Sequence, residues 1–362
     1  MAVRKGTLEG VEMNPAFWKG KRVFLTGHTG FKGAWMALWL HSMGARVYGF
    51  SLPPSAQPSL FDLVGLAKLI DGAMGDINNY TVLSESLQKF SPEIVFHLAA
   101  QPLVRESYVN PIETYQTNVM GTLHVLEAIR SLPSVRAVVV VTTDKCYENK
   151  EWVWPYRENE PMGGHDPYSS SKGCAELLTA SYRQSFFDTS KVGLATARAG
   201  NVIGGGDFSK DRLIPDFIRA IQKNETIKLR YPNAIRPWQH VLEPLYGYLL
   251  LAEQLWEQPQ RFSEAWNFGP DAQDVMSVSG IVDRLIKIFN QGAWEQDVGT
   301  YLHEAGVLKL DCAKAHTLLG WWPKMTIDMS VDWIAGWYQA FWAKRDMQAI
   351  MSQQIECYQE QL

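Results

Sequence analysis

Gly27, Gly30 and Gly33, in Gly27-His28-Thr29-Gly30-Phe31-Lys32-Gly33, stand between two stretches of opposite character. Arg22-Val23-Phe24-Leu25-Thr26 before them is short, apolar and partly β-branched, and Ala34-Trp35-Met36-Ala37-Leu38-Trp39-Leu40 after them reads as a helix. Strand, glycine turn and helix in that order make a phosphate cradle. The glycines let the backbone turn tightly and approach a pyrophosphate, and the helix N-terminus offers free N–H groups and a positive dipole. The spacing is Gly-x-x-Gly-x-x-Gly, not the Gly-x-Gly-x-x-Gly of dehydrogenases with a separate catalytic domain. A purely structural glycine turn is the plainer alternative, and Tyr168 with Lys172 far downstream tips the balance toward a dinucleotide.

Strand and helix signals alternate through the first half. Strands are predicted at Arg46 to Phe50, Ile94 to His97, Ala137 to Thr142 and Leu194 to Arg198, with helices near 79–90 and 112–131. Such alternation predicts an α/β fold, a Rossmann-like doubly wound parallel sheet with helices on both faces. Ala137-Val138-Val139-Val140-Val141 suits a central strand buried on both sides. Its end, Thr142-Thr143-Asp144, then lies at the carboxyl edge, where open α/β sheets bind ligands. After about residue 200, Pro215, Pro232, Pro237 and Pro244 punctuate shorter elements, which predicts a smaller, mixed substrate-binding part. The expected division is a mainly dinucleotide-binding domain over 19–200 and a mainly substrate-binding part over 201–345 that returns some strands or helices to the first. Residues 1–18 and 346–362 read as tails, the second as a polar helix rich in Gln.

At 362 residues, with 46% hydrophobic and 20% charged, the chain is long enough for one large or two moderate domains. A net charge of −4 gives no electrostatic reason to expect nucleic acid or an anionic membrane as a partner. No run approaches 18 apolar residues, and Met1 to Trp18 does not resemble a secretory signal. Cys146, Cys174, Cys312 and Cys357 lie far apart with no Cys-x-x-Cys, which suggests neither a disulfide framework nor a zinc site and fits a reducing cytoplasm. The 14 tryptophans are expected mostly in the core.

Of 14 tyrosines, only Tyr168 has a lysine four residues later, Lys172. On a helix that spacing puts phenol and ammonium on one face. Half-ionising a tyrosine near neutrality requires stabilising its phenolate by about 4 kcal/mol. A nearby cation at an effective dielectric of about 20 supplies roughly that. Tyr168 and Lys172 are therefore read as a tyrosinate base and its cation, against the simpler reading of a surface pair at ordinary helix spacing.

With these motifs in place, the chain resembles the extended short-chain dehydrogenases/reductases, the family of nucleotide-sugar epimerases and dehydratases, from about Lys21 to Trp322. The resemblance rests on the glycine turn, His97-Leu98-Ala99-Ala100-Gln101, Asn118 in Tyr115 to Thr122, Thr143-Asp144, Tyr168/Lys172, Arg198 to Gly204, and Arg236-Pro237-Trp238-Gln239-His240-Val241. Thr143 to Trp152, Tyr156-Arg157-Glu158 and Gly163 to Tyr168 resemble the 4,6-dehydratase branch. What this implies is NAD as a prosthetic oxidant, CDP-D-glucose as substrate, oxidation at C4, loss of water across C5 and C6, and return of hydride to C6. It also implies a product on a route to dideoxy sugars of bacterial lipopolysaccharide. The helices near 112–131 and 168–187 resemble those that pair in a four-helix interface, which implies a homodimer or homotetramer.

The chemistry assigns roles beside the resemblance. Tyr168 with Lys172 would take the C4 hydroxyl proton, and Thr143 would bond the same oxygen. Asp144, protonated by burial or a neighbouring anion, would protonate the leaving C6 hydroxyl. Related dTDP-glucose dehydratases carry an acidic residue next, where this chain has Lys145, which is either the C5 base or a cation stabilising the enolate. The resemblance implies cofactor contacts at Gly27, His28, Thr29, Gly30, Phe31, Lys32, Gly33, Ser51, Asp76, Ile77, Leu98, Ala99, Ala100, Asn118, Thr142, Tyr168 and Lys172. Many NAD-using relatives end the second strand with a carboxylate, but here Arg46-Val47-Tyr48-Gly49-Phe50-Ser51 offers only the Ser51 hydroxyl for a ribose, so weaker NAD binding is expected. Asp76 is expected to face the adenine. Gln101, Asn201, Arg212 and Arg236 are substrate candidates, the last three for the diphosphate. His97, His165 and His240 are poor candidates for catalysis, and the histidines show no metal-ligand spacing. Two other readings stay open: a 4-epimerase, which uses the same tyrosine and lysine without elimination, and a non-catalytic nucleotide-binding protein.

Overall fold

In the computed structural model, which describes residues 13–187, 191–271, 274–299 and 308–361, seven strands pair into one parallel sheet. They are Arg22–Thr26 (β1), Arg46–Ser51 (β2), Asp71–Met74 (β3), Ile94–His97 (β4), Ala137–Val141 (β5), Gly193–Ala199 (β6) and Ala265–Phe268 (β7). Their order is β7-β6-β5-β4-β1-β2-β3, all parallel, so the order reverses at β1, between β2 and β4. Crevices at such a reversal are where doubly wound sheets bind ligands. β4, β5 and β6 are buried along their whole length, the condition that makes an unbroken apolar run such as Ala137–Val141 a good parallel strand.

The helices that bear on the site and its support are Phe31–Ser42 (α1), Tyr80–Phe90 (α2), Gly121–Arg130 (α3), Pro167–Tyr182 (α4), Leu213–Lys223 (α5), Leu242–Glu257 (α6), Ile327–Trp342 (α7) and Met347–Gln359 (α8). The helix expected near 112–131 is composite: Pro111–Tyr115, then a π-helical turn at Gln116–Met120, then α3. Three short strand pairs build the other side of the site. Val202–Ile203 pairs with Gln239–His240, Ile227–Leu229 with Trp294–Gln296, and Ile235–Arg236 with Met276–Ser277.

Three stretches differ from the sequence-based expectation. β3 is an edge strand, mostly exposed and without an apolar pattern, and it exists because β2 offers a free edge. The C-terminal stretch is not a tail. Met347, Met351, Ile355 and Tyr358 form a buried stripe on α8 at helical spacing, with the glutamines on its other sides. Near the other end, Trp18 is buried and donates to Glu253 Oε1 at 2.6 Å, so Asn14 to Trp18 is no tail either, while residues 1–12 lie outside the described residues. Trp18, Trp35, Trp39, Trp266, Trp321 and Trp337 all fill the core. Among the described residues, no helix is long and apolar enough to cross a membrane.

Candidate active site

The turn after β1 closes only because two positions lack a Cβ. Gly27 has φ +79°, and a Cβ there would sit 2.8 Å from the backbone nitrogen of Ala99. A Cβ on Gly33 would lie 2.0 Å from the carbonyl oxygen of Gly27. Gly30 caps α1 without a side chain, which leaves the first N–H groups of a 12-residue helix to an external acceptor. Beside them burial, then the nearby Arg212 and Lys172 cations, pull the Lys32 ammonium down to about 7. A dinucleotide diphosphate fits this place, because its charge answers both the free N–H groups and the crowded cations.

The carboxyl ends of the strands open into one cavity of about 1470 Å³. Thr29, Ser51, Asp76, Ile77, Leu98, Ala99 and Ala100 line it, as do Asn201, Arg212 and Arg236 and the group Thr142, Thr143, Asp144, Lys145, Tyr168 and Lys172. That last group comes from two elements. Thr143 ends the β5 run and caps the short turn Asp144–Cys146, accepting from the Lys145 nitrogen at 3.4 Å. Tyr168 and Lys172 lie on α4, which Asp166 caps by accepting from the Ser169 nitrogen at 2.9 Å.

Asp144 is buried. Its Oδ1 accepts from Thr143 Oγ1 at 3.0 Å and stands 3.8 Å from Lys145 Nζ, and its buried Oδ2 has no hydrogen-bond partner. Lys145 Nζ also donates to Asn201 Oδ1 at 3.3 Å. Buried polar atoms are almost always paired, so an orphaned carboxylate oxygen in a cavity wall is a place for a ligand atom.

The electrostatics differ from the expected tyrosinate near neutrality. Burial pushes the Tyr168 phenol up to about 12, against a hydrogen bond from Thr143, with Asp144 pushing it further up and Arg212 pulling it down. Burial likewise pulls Lys172 down to about 8, opposed by Glu176. Lys172 donates to the Val141 carbonyl at 3.1 Å. Desolvation dominates both groups, and sequence spacing could not register it.

Several expected contacts are otherwise engaged. His28 does not line the cavity: its ring is buried edge-on to Phe61, its Nδ1 meets Ser51 Oγ at 2.9 Å, and burial pulls it down to about 4. Ser51 is correspondingly half committed, also meeting Thr29 Oγ1 at 3.0 Å. Asn118 sits buried in the π-helical turn, outside the cavity wall, where it bonds both backbone groups of Gln101 and donates to Ser171 Oγ at 2.9 Å. Gln101 lines the cavity, with its side chain bonded to Leu103 and to Thr114 of the helix Pro111–Tyr115. Arg212 pairs with buried Asp207 at 2.8 Å, and Asp76 accepts from the Asn78 nitrogen at 2.9 Å.

Sequence reasoning missed the Glu176–Arg198 pair beneath the site, with 2.9 and 2.8 Å bonds from Nε and Nη2. Two signals pointed to it. Glu176 continues the Tyr168, Lys172 spacing by one more helical step, and an arginine inside the fully buried β6 needs a buried anion.

Residues 24–333 match the GDP-mannose 4,6 dehydratase family. The chain is 52% identical over 348 residues to the CDP-glucose 4,6-dehydratase of Salmonella typhimurium, covering 94% of this chain and 97% of that protein. It is 26% identical to a dTDP-glucose 4,6-dehydratase of Xanthomonas campestris, covering 87% of this chain and 92% of the relative. Its fold is shared with the crystal structure of DesIV, a dTDP-glucose 4,6-dehydratase from Streptomyces venezuelae with NAD and TYD bound (TM-score 0.78, 20% identity, 91% and 100% coverage). It is shared as well with a UDP-glucose 4-epimerase from Thermotoga maritima (TM-score 0.77, 20% identity, 89% and 99% coverage).

Proposed function

The chain belongs to the GDP-mannose 4,6-dehydratase family, and from that premise we propose that it is an NAD-dependent CDP-D-glucose 4,6-dehydratase. The substrate choice follows the 52% identical relative, and the elimination step follows the site. The single observation that carries it is Asp144, a cavity-lining carboxylate with a buried, partnerless oxygen in the same wall as Tyr168. An epimerase has no leaving hydroxyl to protonate and needs no such group.

Gly27 to Gly33 would hold the diphosphate of NAD, which when bound supplies the acceptor for the C4 hydride and later returns it to C6. Tyr168, which must first ionise against its burial, takes the C4 hydroxyl proton, with Lys172 as the cation behind it and Thr143 as a second partner for that oxygen. Once C4 is a ketone, its α-hydrogen at C5 is acidic. Asp144 passes a proton to the C6 hydroxyl, which leaves as water. Lys145, held by Asn201, is the C5 base, or it is the cation that stabilises the enolate while the C5 proton passes to solvent water. Arg212 and Arg236 offer charge to the substrate diphosphate, Arg212 already oriented by Asp207. The product would be CDP-4-keto-6-deoxy-D-glucose, formed in the cytoplasm by a homodimer or homotetramer and used for dideoxy sugars of lipopolysaccharide.

Product analysis with NAD and CDP-glucose, beside the dTDP, GDP and UDP analogues, tests the reading. A 4-keto-6-deoxy product formed fastest from CDP-glucose is expected. A C4-epimerised hexose, or preference for another nucleotide, overturns it.

A further inference from the structure

We propose that Glu176 is a positioning residue for the first oxidation: a fixed buried anion that keeps Lys172 a cation, so that Tyr168, Lys172 and Glu176 work as one row along α4. The proposal rests on the reading that Tyr168 and Lys172 carry that oxidation. The three residues fall at successive steps of four on one helix face, and all three are buried.

Glu176 is fixed from three sides. Oε1 accepts from Thr142 Oγ1 and from Arg198 Nε, and Oε2 accepts from Thr196 Oγ1 at 2.7 Å and Arg198 Nη2. Arg198 is held in turn by the Tyr147 hydroxyl at 2.7 Å and the Glu158 carbonyl at 3.0 Å. Burial alone would raise the Glu176 carboxyl, but Arg198 and these hydroxyls outweigh it and keep it low, hence ionised. Thr142 directly precedes Thr143, and Lys172 donates to Val141, so Lys172 and Glu176 grip the last two residues before the reacting turn.

The surroundings of Lys172 show why an anion is needed. On its own helix Glu176 faces it. The turn after β5 presents Cys146, α1 presents Lys32, β4 presents His97, and Arg198 of β6 stands behind Glu176. Burial pulls Lys32 down to about 7 and His97 down to about 3, leaving the imidazole neutral, and pushes the Cys146 thiol up. Glu176 is the charge that opposes desolvation of Lys172 most strongly.

A structural staple and a charge-setting residue predict different pH behaviour. The measurements are the pH dependence of single-turnover NAD reduction by CDP-glucose, and of denaturant unfolding of the ligand-free protein, each for wild type, Glu176→Gln, Glu176→Asp and Arg198→Met. With Glu176 setting the charge, the high-pH limb moves about one unit lower in Glu176→Gln and about half a unit lower in Glu176→Asp. It moves higher in Arg198→Met, where Lys172 no longer shares its anion. Glu176→Asp keeps the buried ion pair, so it reports even where the glutamine variant does not fold. Slower turnover with an unmoved limb in Glu176→Asp overturns the proposal. A wild-type protein that reduces no NAD with CDP-glucose instead overturns the reaction assignment, and the ligand-free unfolding series still reads the charge of Lys172.

Discussion

Lys172 is tied to Val141: its ammonium donates to that carbonyl at 3.1 Å, so the cation on α4 is pinned to the end of the strand that delivers Thr143 and Asp144. One hydrogen bond thereby couples the helix that holds Tyr168 to the strand end that leads to Asp144. A shift of α4 along the sheet would move Tyr168 away from Thr143 at the same time.

The phenol hydroxyl is the only group removed in Tyr168→Phe, and the ring stays packed. The variant should fold with stability within about 1 kcal/mol of wild type. NAD reduction by CDP-glucose should fall by about 100-fold or more, the usual worth of a positioned base. Stopped-flow absorbance of the nicotinamide checks this, and turnover within a few-fold of wild type would remove Tyr168 from the mechanism.

Lys172→Met should change the pH dependence of stability in a stated direction. Lys172 sits near 8 in the folded protein against 10.5 in the open chain, so between those values the unfolded chain holds the proton more tightly. Stability from this group therefore rises with pH from about 8 to 10.5, by roughly 3 kcal/mol, and the rise vanishes in the variant. NAD binding should weaken alongside. Parallel urea titrations across that range decide it, and an identical pH slope in both proteins would refute it.

The strands, the cradle and the reacting turn were legible because each has a local signature: an apolar run, glycines a Cβ cannot replace, a tyrosine and lysine at helical spacing. What was illegible depends on distance through space. His28 turns inward because Phe61 and Ser51, both remote in sequence, receive its ring. The Tyr168 phenol rises because the whole cavity wall desolvates it. Gln101 looks like a ligand-binding residue, yet Thr114 and Leu103 consume it. The stripe on α8 was hidden among glutamines until α1 and α6 supplied a surface, with Trp39 edge-on to Tyr358.

That surface contains a second titration. Glu243 on α6 is buried, accepts from the Lys324 and Met325 nitrogens and from the Tyr358 hydroxyl, and burial raises it to about 7 from 4.5. The folded state then holds a proton the open chain releases, so this group favours folding below about pH 4.5 and loses that contribution as pH rises through 7. Glu243→Gln keeps a carbonyl for the two N–H donors and never ionises. It should be more stable than wild type at pH 8, by on the order of 3 kcal/mol, with the gap closing toward pH 4.5. Thermal unfolding at several pH values measures it, and a gap independent of pH would rule out Glu243 as the titrating group.

On the proposed mechanism Asp144 and Lys145 act in elimination rather than in the first oxidation, and the two steps can be separated in one turnover. Asp144→Asn keeps a side chain of the same shape but a negligible acid. CDP-glucose should still reduce the bound cofactor, while the C6 hydroxyl leaves about 100-fold or more slowly, so reduced nicotinamide accumulates. Lys145→Met frees Asn201 Oδ1 from its 3.3 Å partner and removes the cation 3.8 Å from Asp144. It should slow exchange of the C5 hydrogen with solvent, whether the lysine takes that proton or steadies the enolate. Single-turnover absorbance and deuterium uptake at C5 read the two steps apart. Normal product formation by Asp144→Asn with no build-up of reduced cofactor would show that another group protonates the leaving hydroxyl, and the orphaned Oδ2 would then have to serve binding alone.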